Sequence, residues 1–367
     1  MATACEQLRP WVRQSDAVGV AGYAIDTRGE GEAMWAVLSL WMSAWIACHP
    51  AQDCGVDVPA VGVVTSCRLA DGRRYDVVPP ADADALPTIL AFHGGGGNAS
   101  GGRSVTCPDG DPDDGDASDC LDGLGQDEGF LTVYPEGTSA KLLRNRRTWN
   151  AGGGVGAFQC VSGRACAEGV DDIAYVEAVL DDLDRWTSVD SRRIYATGLS
   201  NGGAMSYRVG RELSSRIAAI APVGSGDQFG VATAAPPPER PVPVLHVHGT
   251  EDPCWSFEGG ASACLQDDGR IKVGVAETMA LLRAERGCAD EVLTEAIADT
   301  EEDGTTSRID RSVGCVSDVE LVTIEGGGHT WPGGNAYLGE RVVGRVARDF
   351  SANELMWEFF RAHPLPE

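Results

Sequence analysis

Between Arg73 and Phe360 two kinds of apolar pattern alternate along the chain, and this alternation limits the fold more than any other feature. The segments "RRYDVV" (73–78), "PTILAFH" (87–93) and "FLTVYP" (130–135) are short runs of β-branched, aromatic and aliphatic residues that read as strands. In "VDDIAYVEAVLDDLDRW" the apolar Ile173, Val176, Leu180 and Leu183 recur every three to four positions. That spacing predicts an amphipathic helix, with Asp171 and Asp172 in its first turn at the positive end of the helix dipole. The series continues with strand "RIYATG", helix "NGGAMSYRVGREL", strands "IAAIAPVG" and "VPVLHVHG", a helix near 273–286 and strand "VELVTIE". A closing helix opens on the capping pattern Ser351-x-x-Glu354. Strands alternating with helices predict an α/β fold, a mostly parallel sheet with helices on both faces. Nothing in the pattern divides it, so residues 54–367 are expected to form one domain.

Composition narrows the partners. The 367-residue chain is 43% hydrophobic, enough for a large core, and its formal net charge is -26, from 29 basic against 55 acidic residues. Its longest basic cluster is the short "RNRR" at 144–147, so a phosphate backbone would be repelled and nucleic acid is excluded as a partner. A neutral substrate fits better. Of the 12 cysteines, those from Cys54 onward fall into close neighbours: Cys54/Cys67, Cys107/Cys120, Cys160/Cys166, Cys254/Cys264 and Cys288/Cys315. They contain no C-x-x-C and no zinc-finger spacing, so they read as local disulfides of an oxidising compartment. The N-terminal region agrees with export. "AMWAVLSLWMSAWIAC" is shorter than the ~20 apolar residues of a spanning helix and reads as a signal-peptide core. It ends at Cys48, a candidate for lipid attachment to an outer membrane. Residues 1–33 are then a leader, with Met34 an alternative start, and 34–53 a signal or lipoprotein-signal region.

Within this frame one serine stands out. With 47 glycines in the chain, a G-x-S-x-G match carries little by itself. Here, however, a strand of Ile194, Tyr195 and Ala196 runs into Gly198-Leu199-Ser200-Asn201-Gly202 and a helix starts at once. That is the strand–turn–helix context of a nucleophile elbow. The helix N-terminus would direct amide hydrogens at an oxyanion forming over Ser200. A serine needs a base, and there are 6 histidines. His49 lies at the signal boundary and His363 in the tail. His246 and His248 share one face of a strand and read as packed or hydrogen-bonded residues, and His93 precedes the serine. His329 remains, in the loop "GGGHTWPGG" after the last sheet strand, on the edge where open α/β sheets bind ligands. Asp252, in "HVHGTEDP", also follows a strand and completes the chain order Ser, Asp, His; Glu251 is its neighbouring competitor.

The loop "FHGGGGN" supplies a fourth part. Gly94-x-Gly96-x-x-Ala99 matches a dinucleotide fingerprint, but no acidic residue ends a second strand about 20 residues later, and no Gly-Lys-Ser/Thr makes it a phosphate loop. As an oxyanion loop it is consistent, since backbone without side chains can approach a carbonyl and donate N–H bonds; the second donor would be the Asn201 amide. Trp149, Trp255 and Trp331 are candidate cleft walls. The acidic insertion Asp109–Asp119 lacks the spaced ligands and central glycine of a calcium loop and reads as solvated.

With these residues assembled, the chain resembles the α/β-hydrolase family of secreted polyhydroxybutyrate depolymerase-like esterases, whose relatives include feruloyl and acetyl xylan esterases. The resemblance rests on "HGGGGNASG", "GFLTVYPEG", "RTWNAG", "VDDIAYV", "GLSNGGAMSY", "APVGSG", "HGTEDP" and "GGGHTWPGG", in order from about Arg73 to Phe360. It implies an α/β-hydrolase fold, Ser200, Asp252 and His329 as nucleophile, orienting acid and general base, and an oxyanion site from Gly94, Gly95 and Asn201. It implies no metal and no organic cofactor. The expected activity is hydrolysis of hydroxyalkanoate oligomers or related small esters, with feruloyl or acetyl xylan esters as the alternative. A peptidase of the same fold, and an exported binding protein without activity, are the remaining rivals. Where relatives often read Val-Pro after the acid, this chain has "PCWSFEGG" and an expected Cys254–Cys264 loop.

Overall fold

The computed structural model describes residues 54–367 apart from 57, 82–83, 114–116, 141–144, 159, 161–162 and 262–269. The leader, the signal region and Cys48 lie outside the described residues, while the described residues from Cys54 to Glu367 form one compact unit. Ten strands make one sheet: β1 (Thr65–Arg68), β2 (Arg74–Val78), β3 (Leu86–Phe92), β4 (Leu131–Pro135), β5 (Val189–Leu199), β6 (Ala219–Val223), β7 (Val244–Gly249), β8 (Val292–Ala296), β9 (Thr306–Ser312) and β10 (Val319–Glu325). Their spatial order is β1-β2-β4-β3-β5-β6-β7-β10-β9-β8. The six central strands, β4 through β10, run parallel; β1 and β2 at one edge and β9 and β8 at the other are antiparallel additions.

The period of two along a strand separates two cores. On β3, Leu90 and Phe92 belong to one and Ile89 and Ala91 to the other; on β5, Ala196 faces one and Tyr195 the other. Helices α1 (Asp172–Leu183), α2 (Asn201–Glu212) and α3 (Val275–Glu285) contribute to the first core through Val176, Leu180, Met205 and Leu282. Helix α4 (Ala352–Ala362) covers the second with Met356, Trp357 and Phe360. Both sheet faces are therefore buried, as the near-continuous apolar strands require, and the architecture is that of an α/β-hydrolase.

Local chemistry sets the helix starts. Asp171 is not in the first turn of α1 but caps it, its side chain accepting from the Ala174 amide at 3.0 Å. Asp172 is in that turn but fully buried, ion-paired with Arg73 at 2.7 Å and accepting from the Asn150 amide. Ser351 caps α4 through the Glu354 amide. The ribbon of β8 and β9 is an addition the apolar pattern does not reveal, because every residue of β8 is exposed. Disulfides join Cys54–Cys67, Cys107–Cys120, Cys160–Cys166 and Cys288–Cys315, each between chain neighbours. Cys254 is also disulfide-bonded, and its expected partner Cys264 lies outside the described residues. No helix among the described residues is long and apolar enough to cross a membrane.

Candidate active site

Strand β5 ends at Leu199, and the chain reverses at Ser200 into α2. Ser200 has φ 61° and ψ −121°, a left-handed backbone that a non-glycine residue holds only when its surroundings fix it. Here they do: the Ser200 amide donates to Val223 O at 2.9 Å on β6, and its carbonyl accepts from the Ala204 amide at 3.0 Å. The turn is tight enough to exclude side chains on both sides. A Cβ at Gly198 would stand 2.4 Å from Phe92 O, and one at Gly202 only 2.0 Å from it. The Asn201 amide, in the first turn of α2, has no acceptor within its own helix.

Asp252 follows β7 and His329 follows β10, the strand paired in parallel with β7. This brings residues 77 apart in sequence into contact, with His329 Nδ1 2.6 Å from Asp252 Oδ2. The other carboxylate oxygen accepts from the Cys254 and Trp255 amides, both at 2.7 Å. Burial pushes the Asp252 carboxyl upward, but the charge of His329 and hydrogen bonds from His248 and His329 outweigh it and hold the group below the usual carboxylate range. Because Nδ1–H is given to the carboxylate, Nε2 of a neutral His329 is left as the proton acceptor. Glu251, the sequence competitor, instead pairs with Arg345 at 3.2 Å and is exposed. Gly224, with φ 54°, lies beside the pair; a Cβ there would be 3.1 Å from His329 Nδ1.

The glycine loop runs along the other side of the serine, where a Cβ on Gly94 would contact Leu199 O and Ser200 Cβ. Its shape depends on His93. The Gly137 amide donates to His93 Nε2 at 3.0 Å, so Nδ1 carries the ring proton and donates to Gly94 O at 2.8 Å. The Gly97 amide bonds the same carbonyl at 3.0 Å. In a trans peptide N–H and C=O point in opposite directions, so with Gly94 O turned into the loop the Gly95 N–H is turned out of it. Burial pushes the His93 imidazole down to about 4, so it stays neutral in this role.

Two of the three tryptophans are not cleft walls. Trp149 is fully buried behind the loop: its indole N–H donates to His93 O at 2.9 Å, and its backbone exchanges hydrogen bonds with the Asn201 side chain at 2.7 and 3.2 Å. It is a strut between the glycine loop and the elbow. Trp255 is also fully buried, its indole N–H donating to Val273 O at 2.8 Å. Both rings are drawn inward because each N–H finds a backbone carbonyl in the core. Trp331 does line the cavity, as do Ser200, His329, Gly94, Gly95 and Asn201.

The cavity holds about 550 Å³. Tyr337 and Leu338, both partly exposed, are apolar lining residues that the sequence patterns do not single out. Apart from the histidines, its charged lining among the described residues is Arg146 and Lys272, two cations in a protein of net charge -26. Asp252, Cys254 and His329 offer atoms within 4.8 Å of one another, but Cys254 is disulfide-bonded and has no thiolate to give a metal.

No family model matches the chain. In sequence it is 32% identical over 200 residues to the protein named "Putative esterase NocK" of Nocardia uniformis subsp. tsuyamanensis, covering 51% of this chain and 56% of that one. It is 28% identical over 188 residues to the bifunctional acetylxylan esterase/xylanase XynS20E of Neocallimastix patriciarum, covering 51% of this chain and 22% of that protein. It is 25% identical over 205 residues to feruloyl esterase B of Piromyces equi, covering 55% and 34%. The chain thus spans less than two thirds of the length of the curated relatives it matches. By sheet order and strand direction the chain has the α/β-hydrolase architecture, and over about half its length it is similar to proteins named as acetylxylan and feruloyl esterases.

Proposed function

We propose that this chain is an exported serine carboxylic-ester hydrolase, with Ser200 as nucleophile, His329 as general base and Asp252 as the acid that orients it. The observation that carries the reading is that Ser200 and His329 open onto one cavity while Asp252 is bonded to the far nitrogen of that imidazole. Ser200 Oγ attacks the ester carbonyl and gives its proton to His329 Nε2. The tetrahedral oxyanion accepts from the Gly95 and Asn201 amides, with Gly94 shaping the approach. His329 then protonates the departing alcohol, and water releases the acid from the acyl-enzyme by the same steps. Disulfides between chain neighbours support an oxidising, exported location.

For the substrate we infer hydroxyalkanoate oligomers or related small esters. The exposed Arg146 cation at the cleft suits the free carboxylate that ends such an oligomer. The second reading is a feruloyl or acetyl xylan ester, favoured by the names of the relatives and by Trp331 and Tyr337 in the lining. Labelling with a fluorophosphonate, abolished in Ser200→Ala, tests the chemistry; folded protein that takes no label would instead be an inactive binding module. Rates on methyl ferulate, p-nitrophenyl acetate and butyrate, and hydroxybutyrate oligomers test the substrate. Arg146→Ala should raise KM about 2- to 5-fold for oligomers with a free carboxylate, the range of one exposed ion pair, and leave their methyl esters unchanged. Cleavage of ferulate with no turnover of oligomers would overturn the oligomer reading.

A further inference from the structure

Behind the Asp252 turn lies a column of three buried side chains that the hydrolytic steps do not use. The Tyr207 hydroxyl on α2 hydrogen-bonds His246 Nδ1, and His246 Nε2 lies 3.1 Å from His248 Nδ1. His248 Nε2 is 2.7 Å from Trp255 O and 3.3 Å from Asp252 Oδ2. The three residues are at most 2% exposed, and the two imidazoles stack with centroids 5.3 Å apart. Burial holds His246 well below the usual imidazole range and pushes the Tyr207 phenol well up, so the first stays neutral and the second keeps its hydrogen.

With His248 neutral, its bond to the Trp255 carbonyl sets the direction of every hydrogen in the column. Trp255 O can only accept, so His248 Nε2 carries a hydrogen. Nδ1 of a neutral His248 is then an acceptor, and His246 must offer Nε2–H. That leaves His246 Nδ1 as an acceptor, supplied by the Tyr207 hydroxyl. All the hydrogens point from α2 toward the acid turn, and no polar atom of the column lacks a partner.

We propose that Tyr207, His246 and His248 are a positioning chain, which ties the Asp252 turn to α2, the helix that begins at Ser200, and so sets the acid and the serine relative to each other. The inference rests on the reading of Asp252 as the orienting acid. Trp255 is gripped from both sides, its amide on Asp252 Oδ1 and its carbonyl on His248. His246 and His248 stand on β7, opposite Leu321 and Thr323 of β10. The column therefore lends the rigidity of a central strand to a carboxylate carried on a loop. A polar chain satisfied end to end in a low-dielectric core has little freedom to rearrange.

The test uses His248→Phe, which removes the donor, and His248→Gln, whose Nε2 can replace it. With esterase assays on p-nitrophenyl butyrate, His248→Phe should lower kcat about 10- to 100-fold, the scale of a small misplacement of catalytic groups, with KM within about 2-fold. His248→Gln should recover most of that loss. Tyr207→Phe should lower kcat in the same direction, and the pair Tyr207→Phe/His248→Phe should be no worse than His248→Phe alone, because one chain is broken in both. Wild-type kcat in folded His248→Phe, or His248→Gln as impaired as His248→Phe, would overturn the proposal. If His248→Phe does not fold, Tyr207→Phe decides: lowered kcat at constant KM supports the chain, and unchanged kcat overturns it. Hydrolysis that survives in Ser200→Ala would strike the parent reading instead, which keeps the two failures distinct.

Discussion

His93 shows how a single uncharged residue can hold a glycine loop in shape. Its ring donates to Gly94 O and accepts from the Gly137 amide, an arrangement that a protonated imidazole, with no acceptor nitrogen, would break. Burial lowers its folded value from 6.5 to about 4. Between those values the unfolded chain binds a proton that the native state refuses. The contribution is therefore complete above about pH 6.5 and is lost as pH falls toward 4, by roughly 3 kcal/mol in total. Urea unfolding at pH 7.5 and 4.5 should show wild type losing about 2–3 kcal/mol more than His93→Gln; equal losses would mean that the ring titrates alike in the folded and the unfolded chain. Asp252 does not confuse the comparison. Its carboxyl is depressed, so its contribution is present above the unfolded value near 3.9 and is lost only below it, outside this window.

The unit formed by β5, the turn and α2 is set by close approach to the end of β3. The spaces at Gly198 and Gly202 are closed by backbone, Phe92 O above all, which cannot swing aside as a side chain can. Gly202→Ala should therefore cost about 3 kcal/mol or more, the upper range for overpacking, and should abolish fluorophosphonate labelling in whatever protein still folds. A denaturation midpoint within error of wild type would show that the elbow sits farther from β3. The elbow was readable in the sequence because strand, glycines and helix are contiguous there. The β8–β9 ribbon was not, since a strand exposed at every residue has no buried face to impose alternation. Asp171 and Asp172 mark a helix start in the sequence, but which one caps and which one is buried depends on Arg73 and Asn150, distant in sequence.

Across the described residues, the site and the Cys288–Cys315 cross-link occupy different ends of the sheet. Ser200, Asp252 and His329 follow the carboxyl ends of β5, β7 and β10, whereas Cys288–Cys315 closes a loop of separation 27 just before β10 begins. Removing it as Cys288→Ser/Cys315→Ser should lower unfolding free energy by roughly 3–4 kcal/mol, through release of the unfolded chain, while kcat at 25 °C stays unchanged. A fall in kcat without a fall in stability would contradict that separation. The sequence by itself determined the alternation of strands and helices, the turn at Ser200, the order of serine, acid and histidine, and the pairing of neighbouring cysteines. Each of these is written in a period, a spacing or a short loop. Only the tertiary structure decided that Trp149 and Trp255 turn inward, that Arg146 and Lys272 share the cleft, and that a tyrosine and two histidines stand behind the acid. Those outcomes depend on which donor meets which acceptor across tens of residues, and a local pattern fixes the face a side chain points to without naming what waits there.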